Sequence, residues 1–332
     1  MNLSDLINRI SIKPKEKNEA FDTYIENSQN RAKLETLLSE FLRIMGDKST
    51  SIFWGLLTRE NLEGYYNYLD KNINNFDFDL PDVISLTNNA QLYKIIRSDY
   101  TENSKFGLFS STLINKKIKK NEKVQIITSI PIHCLFYKMK DTEAHVNIAG
   151  DYLGYFAERS KIQADEVRDD AGKDMESCNL HVKKSRSRLG YYAKNSKIYA
   201  EEAGDYAGDG IDSCELHVKK AENWLGYEAK NSEIYVKEAG HWLGQGAKNS
   251  KIYADKAGYE AGYNMKNSEL FIYKLNGNLA DSCFEGNNEV YLGKESYKKF
   301  IQNYPKYINK VKLWEKQKQN VDVFSGDYYG SK

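Results

Sequence analysis

An 18-residue pattern of apolar, small and polar positions repeats along residues 145–288 of the chain. Seven copies follow one another without insertion or deletion, and an eighth copy, which begins at Phe271, is degenerate. The clearest copies begin at His217, Tyr235 and Tyr253. A repeat of constant length with an atypical last copy is typical of a solenoid, in which each copy stacks on its neighbours.

The positions of the repeat, numbered from His145, predict a short strand followed by a glycine corner. The sixteenth position is Ser or Cys, the eighteenth is Ile or Leu, and the second is Val, Ala or Ile, so alternate side chains of one strand point inward. The fifth, ninth and thirteenth positions are mostly small and apolar, which predicts a narrow core. Glycine adopts positive φ at little steric cost and suits a corner. It fills the tenth position at Gly154, Gly172, Gly190, Gly208, Gly226, Gly244 and Gly262.

These features predict a mainly β protein built on a parallel β-helix with 18 residues in each coil. The inward positions are unevenly spaced, whereas a left-handed hexapeptide helix needs an aliphatic residue at every sixth position. We therefore expect the right-handed form, which is also the usual hand of parallel crossovers. Eight or nine coils are expected, with a degenerate first coil that begins near Ile127.

The charged and amide positions support direct stacking of the coils. The third and fourth positions reverse their sign from copy to copy, as Asp165 and Glu166, Lys183 and Lys184, Glu201 and Glu202, and Lys219 and Lys220. Opposite charges on neighbouring strands stabilise a sheet by roughly 0.2–1 kcal/mol per pair, and like charges repel. The fifteenth position predicts a ladder of side-chain amides at Asn231, Asn249 and Asn267.

Four copies contain the phrases AGDYLGYFAERSKI, AGDYAGDGIDSCEL, AGHWLGQGAKNSKI and AGYEAGYNMKNSEL. These phrases resemble the A-G-x-x-x-G-x-x-M-x-x-G-x-I repeat of the GXGXG domain, and the likeness covers residues 145–288. The resemblance implies a right-handed β-helix, as at the C-terminus of the glutamate synthase large subunit and in one of the subunits of formylmethanofuran dehydrogenase. In those enzymes the helix is a scaffold between catalytic parts, so a scaffolding role is implied here.

Apolar residues at helical spacing predict helices on both sides of the repeat. The predicted helices cover residues 1–12, 20–28, 30–45, 58–72, 81 towards 99, 296–304 and 306–319. Residues 106–114 fit either a helix or a strand, and 124–129 and 132–140 are strand-like. The predicted organisation is an α-rich N-terminal domain over residues 1–122, a β-helix over 123–293, and a C-terminal helical cap and tail over 294–332.

The composition narrows the classes of partner. Lys and Arg (48 residues) balance Asp and Glu (47 residues), and a formal net charge of +1 gives no long-range attraction to nucleic acid or anionic lipid. The chain shows no signal peptide and no apolar run near 18 residues, so we expect a cytoplasmic protein without membrane contact. Cys178 and Cys214 share the sixteenth position two coils apart, too far for a disulfide, and are expected to be small core residues.

Residues that could carry chemistry give no consistent site. Histidine recurs at the first position, every 36 residues, at His145, His181 and His217. Alternate coils place these side chains too far apart to share one ion, so we interpret them as surface side chains. Four aspartates crowd one copy, at Asp165, Asp169, Asp170 and Asp174. Pectin-cleaving β-helices use stacked carboxylates, but copies of constant length leave no long loops for a substrate cleft. We therefore predict no catalytic, metal or cofactor site.

Aromatic residues flank the corner glycines on the outward side. The eleventh position carries Tyr155, Tyr191, Tyr227 and Tyr263, and the eighth carries Tyr152, Tyr206, Trp224 and Trp242. Exposed aromatic area of this kind marks a docking surface for protein or sugar. The alternative is that the rings lie over the glycine corners, or that the N-terminal domain packs on them.

The function that these features favour is a non-catalytic scaffold that binds a protein partner through the side of the solenoid. One alternative is a carbohydrate-binding or carbohydrate-acting β-helix. Another is a structural protein that self-associates end to end through its coils.

Overall fold

Eleven parallel strands form one sheet in the computed structural model of the chain, ordered β1 to β11 as they follow in sequence. The structure describes residues 28–46, 58–73, 77–90 and 99–315. The chain divides into two compact units, Met1–Val167 and Arg168–Lys332. The fold is a parallel β-solenoid, as the repeat predicts, while its right hand and the predicted domain boundaries stay predictions.

The first unit contains helices followed by the first strands of the sheet. Its elements are α1 (Ser28–Met45), α2 (Arg59–Asn72), α3 (Leu80–Asn88), α4 (Tyr100–Lys117), β1 (Lys123–Ile126), β2 (Glu143–Ala149) and β3 (Lys161–Asp169), which runs past the boundary. The Thr58 side chain caps α2 by accepting from the Asn61 backbone N–H. Asp79 and Asp82 form a capping box at the start of α3, with Pro81 in its first turn. The ambiguous run 106–114 is helical because it lies within α4.

Helix α4 packs directly on the coil that precedes β2. Asn103 donates to the Pro131 carbonyl at 3.0 Å and accepts from the His133 backbone N–H at 2.7 Å. A Cβ added to Gly107 would lie 1.7 Å from the His133 carbonyl oxygen, so only glycine allows this approach. Within the first unit, α4 therefore packs closely against the coil between β1 and β2.

The second unit contains strands of nearly constant spacing. Its elements are β4 (Asn179–Ser187), β5 (Lys197–Asp205), β6 (Glu215–Ala221), β7 (Glu233–Ala239), β8 (Lys251–Ala257), β9 (Glu269–Leu275), β10 (Glu289–Gly293), α5 (Lys294–Asn303) and β11 (Val311–Trp314). From β4 to β9, each paired residue lies opposite the residue 18 positions further along the chain, for example Leu216 opposite Ile234. The second, fifth and eighteenth positions point inward and form the core, in agreement with the predicted alternation.

Left-handed backbone angles turn the chain between strands. In every clear copy of the repeat, the eighth, tenth, twelfth and fifteenth positions have positive φ. The tenth is the predicted glycine, but the eighth includes Trp224 and Trp242, both at φ 57°. Bulky residues rarely take these angles, so the coil holds local strain that packing must offset.

Side chains extend the hydrogen bonding of the sheet around the corners. At the sixteenth position the backbone N–H donates to the Ser or Cys of the next coil, as Cys214 does to Ser232 Oγ at 3.1 Å. At the seventh position Asn223 Oδ1 accepts from the His241 N–H at 3.0 Å, and His241 Nδ1 accepts from the Tyr259 N–H at 3.0 Å. These two side-chain ladders satisfy backbone donors where the strand pairing ends.

The predicted charge and amide ladders are present. Lys219 forms an ion pair with Glu201 of the preceding coil at 3.5 Å, and Lys256 pairs with Glu238 of its own preceding coil. Asn249 Nδ2 donates to Asn231 Oδ1 at 3.3 Å, and Asn267 Nδ2 donates to Asn249 Oδ1 at 3.4 Å. Successive copies therefore stack in register, as the reversal of charge predicts.

Four expectations from the sequence need correction. Residues 132–140 form no strand, because Cys134, Phe136 and Lys138 take φ of 58°, 59° and 52° and curl the chain. Residues 306–319 form no helix where they are described: Pro305–Tyr307 is a short 3-10 turn and Val311–Trp314 pairs with β10. Pairing with the free edge of β10 stabilises this segment as a strand, despite the helical spacing of its apolar residues. The first coil begins at Lys123 rather than near Ile127, and eleven strands exceed the expected eight or nine coils.

Other expectations lie outside the described residues. They are the helices predicted over 1–12 and 20–28, the distal part of the helix from Pro81 towards Asp99, and the C-terminal tail.

Candidate functional site

A column of stacked rings runs along the outer face of the sheet in the second unit. We call it the ring column; its members are His181, Tyr199, His217, Tyr235, Tyr253, Phe271 and Tyr291. Neighbouring ring centroids are 4.4–5.0 Å apart and the planes lie within 14° of parallel. Each inner ring therefore has both faces covered, and the column presents ring edges to solvent.

Carboxylates hold the polar ends of several rings in this column. Tyr235 Oη donates to Glu233 Oε2 at 2.5 Å, and His217 Nε2 lies 2.6 Å from Glu215 Oε1. Burial lowers the pKa of His217, although Glu215 opposes that change. The interpretation of the histidines as surface side chains is wrong for His217, which is 2% exposed because two tyrosine rings cover its faces.

The ring column was not predicted from the sequence, although the signal is present there. From the copy at His181 onward, the first position of each copy is His, Tyr or Phe. In coils of equal length these positions must lie one strand spacing apart, roughly 4.8 Å, which is also a good stacking distance for rings. The histidine spacing of 36 residues covers only alternate coils, and the tyrosines between them complete the column.

A second and shorter stack contains three of the predicted docking residues. Tyr206, Trp224 and Trp242 have ring centroids 4.7 and 4.6 Å apart, with planes 1° and 7° from parallel. We call it the tryptophan column. All three residues are half-buried, and all take positive φ, between 57° and 59°. Tyr227 meets Tyr206 edge to face at 6.0 Å.

The remaining predicted docking residues lie in different environments. In the first unit, Tyr155 is 1% exposed and packs on Tyr137 and Phe156, while Tyr152 is half-buried against it. In the second unit, Tyr263 is 40% exposed. Tyr191 is half-buried, with the Lys173 ammonium 5.2 Å from its ring centroid. The structure stacks Tyr206, Trp224 and Trp242 and places Tyr227 against them.

One carboxyl near these aromatic residues has an altered acidity. Burial raises the pKa of Asp209 to about 6, and the Glu228 charge adds to the effect while Arg188 opposes it. Asp209 occupies the eleventh position between Tyr191 and Tyr227 of the neighbouring copies. A carboxyl of this kind can exchange a proton near neutral pH.

The aspartates that crowd one copy of the repeat have separate partners. Asp169 pairs with Arg186, and Ser187 donates to its Oδ1 at 3.0 Å. Arg188 holds the buried Asp170 by two contacts of 2.9 Å. The hydrogen bond from Arg186 lowers the pKa of Asp169 despite partial burial. These contacts are ion pairs between neighbouring coils, and within the described ranges no three His, Cys, Asp or Glu side chains are grouped to hold a metal ion.

No protein-family model matches this sequence, and no curated protein or solved structure matches it either. The class that the structure defines is a parallel β-solenoid with helices at its N-terminus. Among the helices that the structure describes, none is both long and apolar enough to cross a bilayer.

Proposed function

We propose that this chain is a non-catalytic scaffold that binds a protein partner through the tryptophan column. The observation that carries the proposal is that two tryptophans and a tyrosine stack in three consecutive coils while staying half-buried and therefore partly accessible. Aromatic residues are those that contribute most at protein interfaces.

The stacked geometry favours a protein partner over a neutral sugar. Sugars bind to free ring faces, whereas Trp224 has both faces covered by Tyr206 and Trp242. What remains accessible is the rim of the stack, with indole N–H and phenol O–H groups that suit backbone carbonyls of a partner. The resemblance to GXGXG helices, which join catalytic parts in larger enzymes, supports the same role.

The test is affinity capture of the tagged protein from its own cells, followed by reconstitution with the purified partner. The test variant is Trp224→Ser/Trp242→Ser/Tyr227→Ser. The control variant removes three other aromatic residues, Tyr259, Tyr273 and Tyr304, which are 56%, 50% and 39% exposed. Far-ultraviolet circular dichroism checks that both variants fold.

We expect a stoichiometric partner to bind the wild type and the control variant and to be lost from the test variant. Equal loss from both variants would contradict the assignment of the surface. Recovery of this chain alone, without any partner, would contradict the scaffold itself.

Asp209 favours a second candidate, a β-helix that acts on carbohydrate. The raised pKa of Asp209, about 6, suits a general acid. Glu228 is a second carboxylate, close enough for its charge to raise that pKa further. The measurement is binding and hydrolysis across a broad glycan panel with the wild type and with Asp209→Asn. No binding to any glycan would exclude this candidate. End-to-end self-association and a cytoplasmic location stay predictions.

A further inference from the structure

Three lysines of equal charge stack in consecutive coils of the second unit. Lys230, Lys248 and Lys266 occupy the fourteenth position and pair in register as bridges between coils. All three are exposed, and within residues 99–315 their ammonium groups form no ion pair or hydrogen bond. Residues in such register lie roughly 4.8 Å apart, so their mutual repulsion costs stability.

In the other charged columns of this unit, at the third, fourth and seventeenth positions, no three like charges follow one another. The fourth position alternates in register as Lys184, Glu202, Lys220, Glu238 and Lys256. The seventeenth position places Glu215 beside Glu233, but there Lys197 pairs with Glu215 at 2.7 Å and Tyr235 donates to Glu233. Glu215 and Glu233 therefore each have a partner for their charge. In the lysine row, Asp212 lies in register with Lys230, but Lys248 has a lysine on both sides. A run of three like charges, which the other columns lack, suggests a binding role at this position.

The amide ladder lies beside the lysines and adds hydrogen-bond donors. Asn231, Asn249 and Asn267 follow the three lysines in sequence, and each uses one amide hydrogen within the ladder, Asn231 towards Asp212 at 2.9 Å. In the part of the chain that the structure describes, the second hydrogen of each amide has no acceptor. The lysine-asparagine strip therefore offers ammonium groups and amide N–H groups along one line, a pattern that suits a linear anion.

The residues around the strip favour one kind of linear anion over the others. A single-stranded nucleic acid requires ring faces on which its bases can stack, but the ring and tryptophan columns cover theirs by mutual stacking. Arginine, which binds phosphate and carboxylate in a bidentate manner, is absent from the strip. An acidic peptide supplies carboxylates for the lysines and backbone carbonyls for the amides beside them.

We infer that the strip formed by Lys230, Lys248, Lys266, Asn231, Asn249 and Asn267 binds an extended acidic segment of a protein partner. The inference rests on the proposed function only in that it takes the ligand to be a protein. The strip itself is separate from the tryptophan column in the repeat, at the fourteenth and fifteenth positions rather than the eighth.

The experiment measures binding of a fluorescein-labelled octaglutamate peptide to the full chain by fluorescence anisotropy at low salt. The test variant is Lys230→Gln/Lys248→Gln/Lys266→Gln. The control variant is Lys184→Gln/Lys220→Gln/Lys256→Gln, which lowers the net charge equally but removes lysines that stack on glutamates. Octaglutamine, a single-stranded oligonucleotide and polygalacturonate are the comparison ligands.

We expect the test variant to bind octaglutamate about tenfold more weakly than the wild type, and the control variant to bind within about twofold. Added salt should weaken the binding because exposed charges are screened. Equal loss in both variants, no binding, or tighter binding of the oligonucleotide or polygalacturonate would overturn the inference.

A second measurement needs no ligand. The Lys248→Gln variant should unfold at a higher denaturant concentration than the wild type, because it removes repulsion from both neighbouring lysines. A lower midpoint would assign the lysines a structural role and also overturn the inference. If octaglutamate fails to bind while the tryptophan column variant still loses its purified partner, the inference fails alone and the scaffold function stands.

Discussion

Backbone with positive φ is the feature that most directly links single residues to the coil. Gly226 at φ 70° lies beside the core, where an added Cβ would be 2.3 Å from Ile234 Cδ1. Gly286 takes a similar φ of 63°, but an added Cβ there would meet nothing within 4 Å. These two glycines separate the cost of the backbone angle from the cost of crowding the core.

We expect Gly226→Ala to lower the free energy of unfolding by about 2–4 kcal/mol, since it adds overpacking to an unfavourable φ. Gly286→Ala should cost only about 1 kcal/mol, the part due to φ alone. Chemical denaturation of the two variants measures both values. Equal costs would show that the core around Ile234 adjusts to the extra methyl group.

The raised pKa of Asp209 makes stability depend on pH. A carboxyl whose pKa rises on folding, here from 3.8 to about 6 through burial and the Glu228 charge, stabilises the folded protein when protonated. That contribution is complete below its ordinary pKa and is lost as the pH rises through about 6. The folded protein therefore holds an unfavourable carboxylate at neutral pH.

We expect Asp209→Asn to raise the free energy of unfolding by about 1 kcal/mol at neutral pH, a value reduced for solvent screening because the side chain is half-exposed. Near pH 4 the substitution should have little effect. Urea denaturation at the two pH values provides the measurement. A loss of stability at neutral pH would instead show that the carboxylate is held by Arg188.

At the scale of elements, the ladder of the sixteenth position explains why both serine and cysteine occur there. Cys214 Sγ accepts from the Ser196 N–H at 3.4 Å and donates to the Asp212 carbonyl at 3.3 Å, the same contacts that serine makes in neighbouring coils. Cys283 is equally buried, but its thiol has no hydrogen-bond partner within residues 99–315. Burial raises the pKa of both thiols.

We expect Cys214→Ser to change the free energy of unfolding by less than about 0.5 kcal/mol, because the hydroxyl enters an existing ladder. Cys283→Ser should cost about 1–3 kcal/mol, since the hydroxyl is buried without a partner. Thermal and urea unfolding of the two variants make the comparison. A large cost at Cys214 would mean that sulfur volume, rather than hydrogen bonding, decides this position.

The elements also show how far the sequence determines the fold. The sequence alone predicts β4 to β9, from the alternation of inward residues, the corner glycines and the reversing charges. This works because each coil repeats the same local contacts. Val311–Trp314 could not be placed, since it becomes a strand only by pairing with β10. The tryptophan column could be predicted as a set of outward aromatic residues. Its stacking could not, because it depends on positive φ at residues that rarely adopt it.

For the whole molecule, the alternation of charge sets a period of two coils rather than one. Removing residues 199–216 would place Lys184 beside Lys220. This deletion preserves the strand register and leaves His181 beside His217 in the ring column, since it removes one whole repeat.

We expect the deletion protein to fold and to gain more stability than the wild type as salt is added, because salt screens the new repulsion between lysines. Denaturant unfolding with and without added salt gives the comparison. An equal response to salt in the two proteins would show that the charged columns contribute little to coil stacking.

The ring and tryptophan columns also give the second unit an optical signal of its own. Rings in fixed packing produce near-ultraviolet circular dichroism, which disappears when packing loosens even if strands persist. Every stacked pair in these columns joins two different coils, so this signal reports contact between coils. If the solenoid unwinds from its C-terminal end, the tyrosine contribution of Tyr253 and Tyr291 disappears first. The coupled pair Trp224 and Trp242, in the two preceding coils, keeps its dichroism until unwinding separates those two coils.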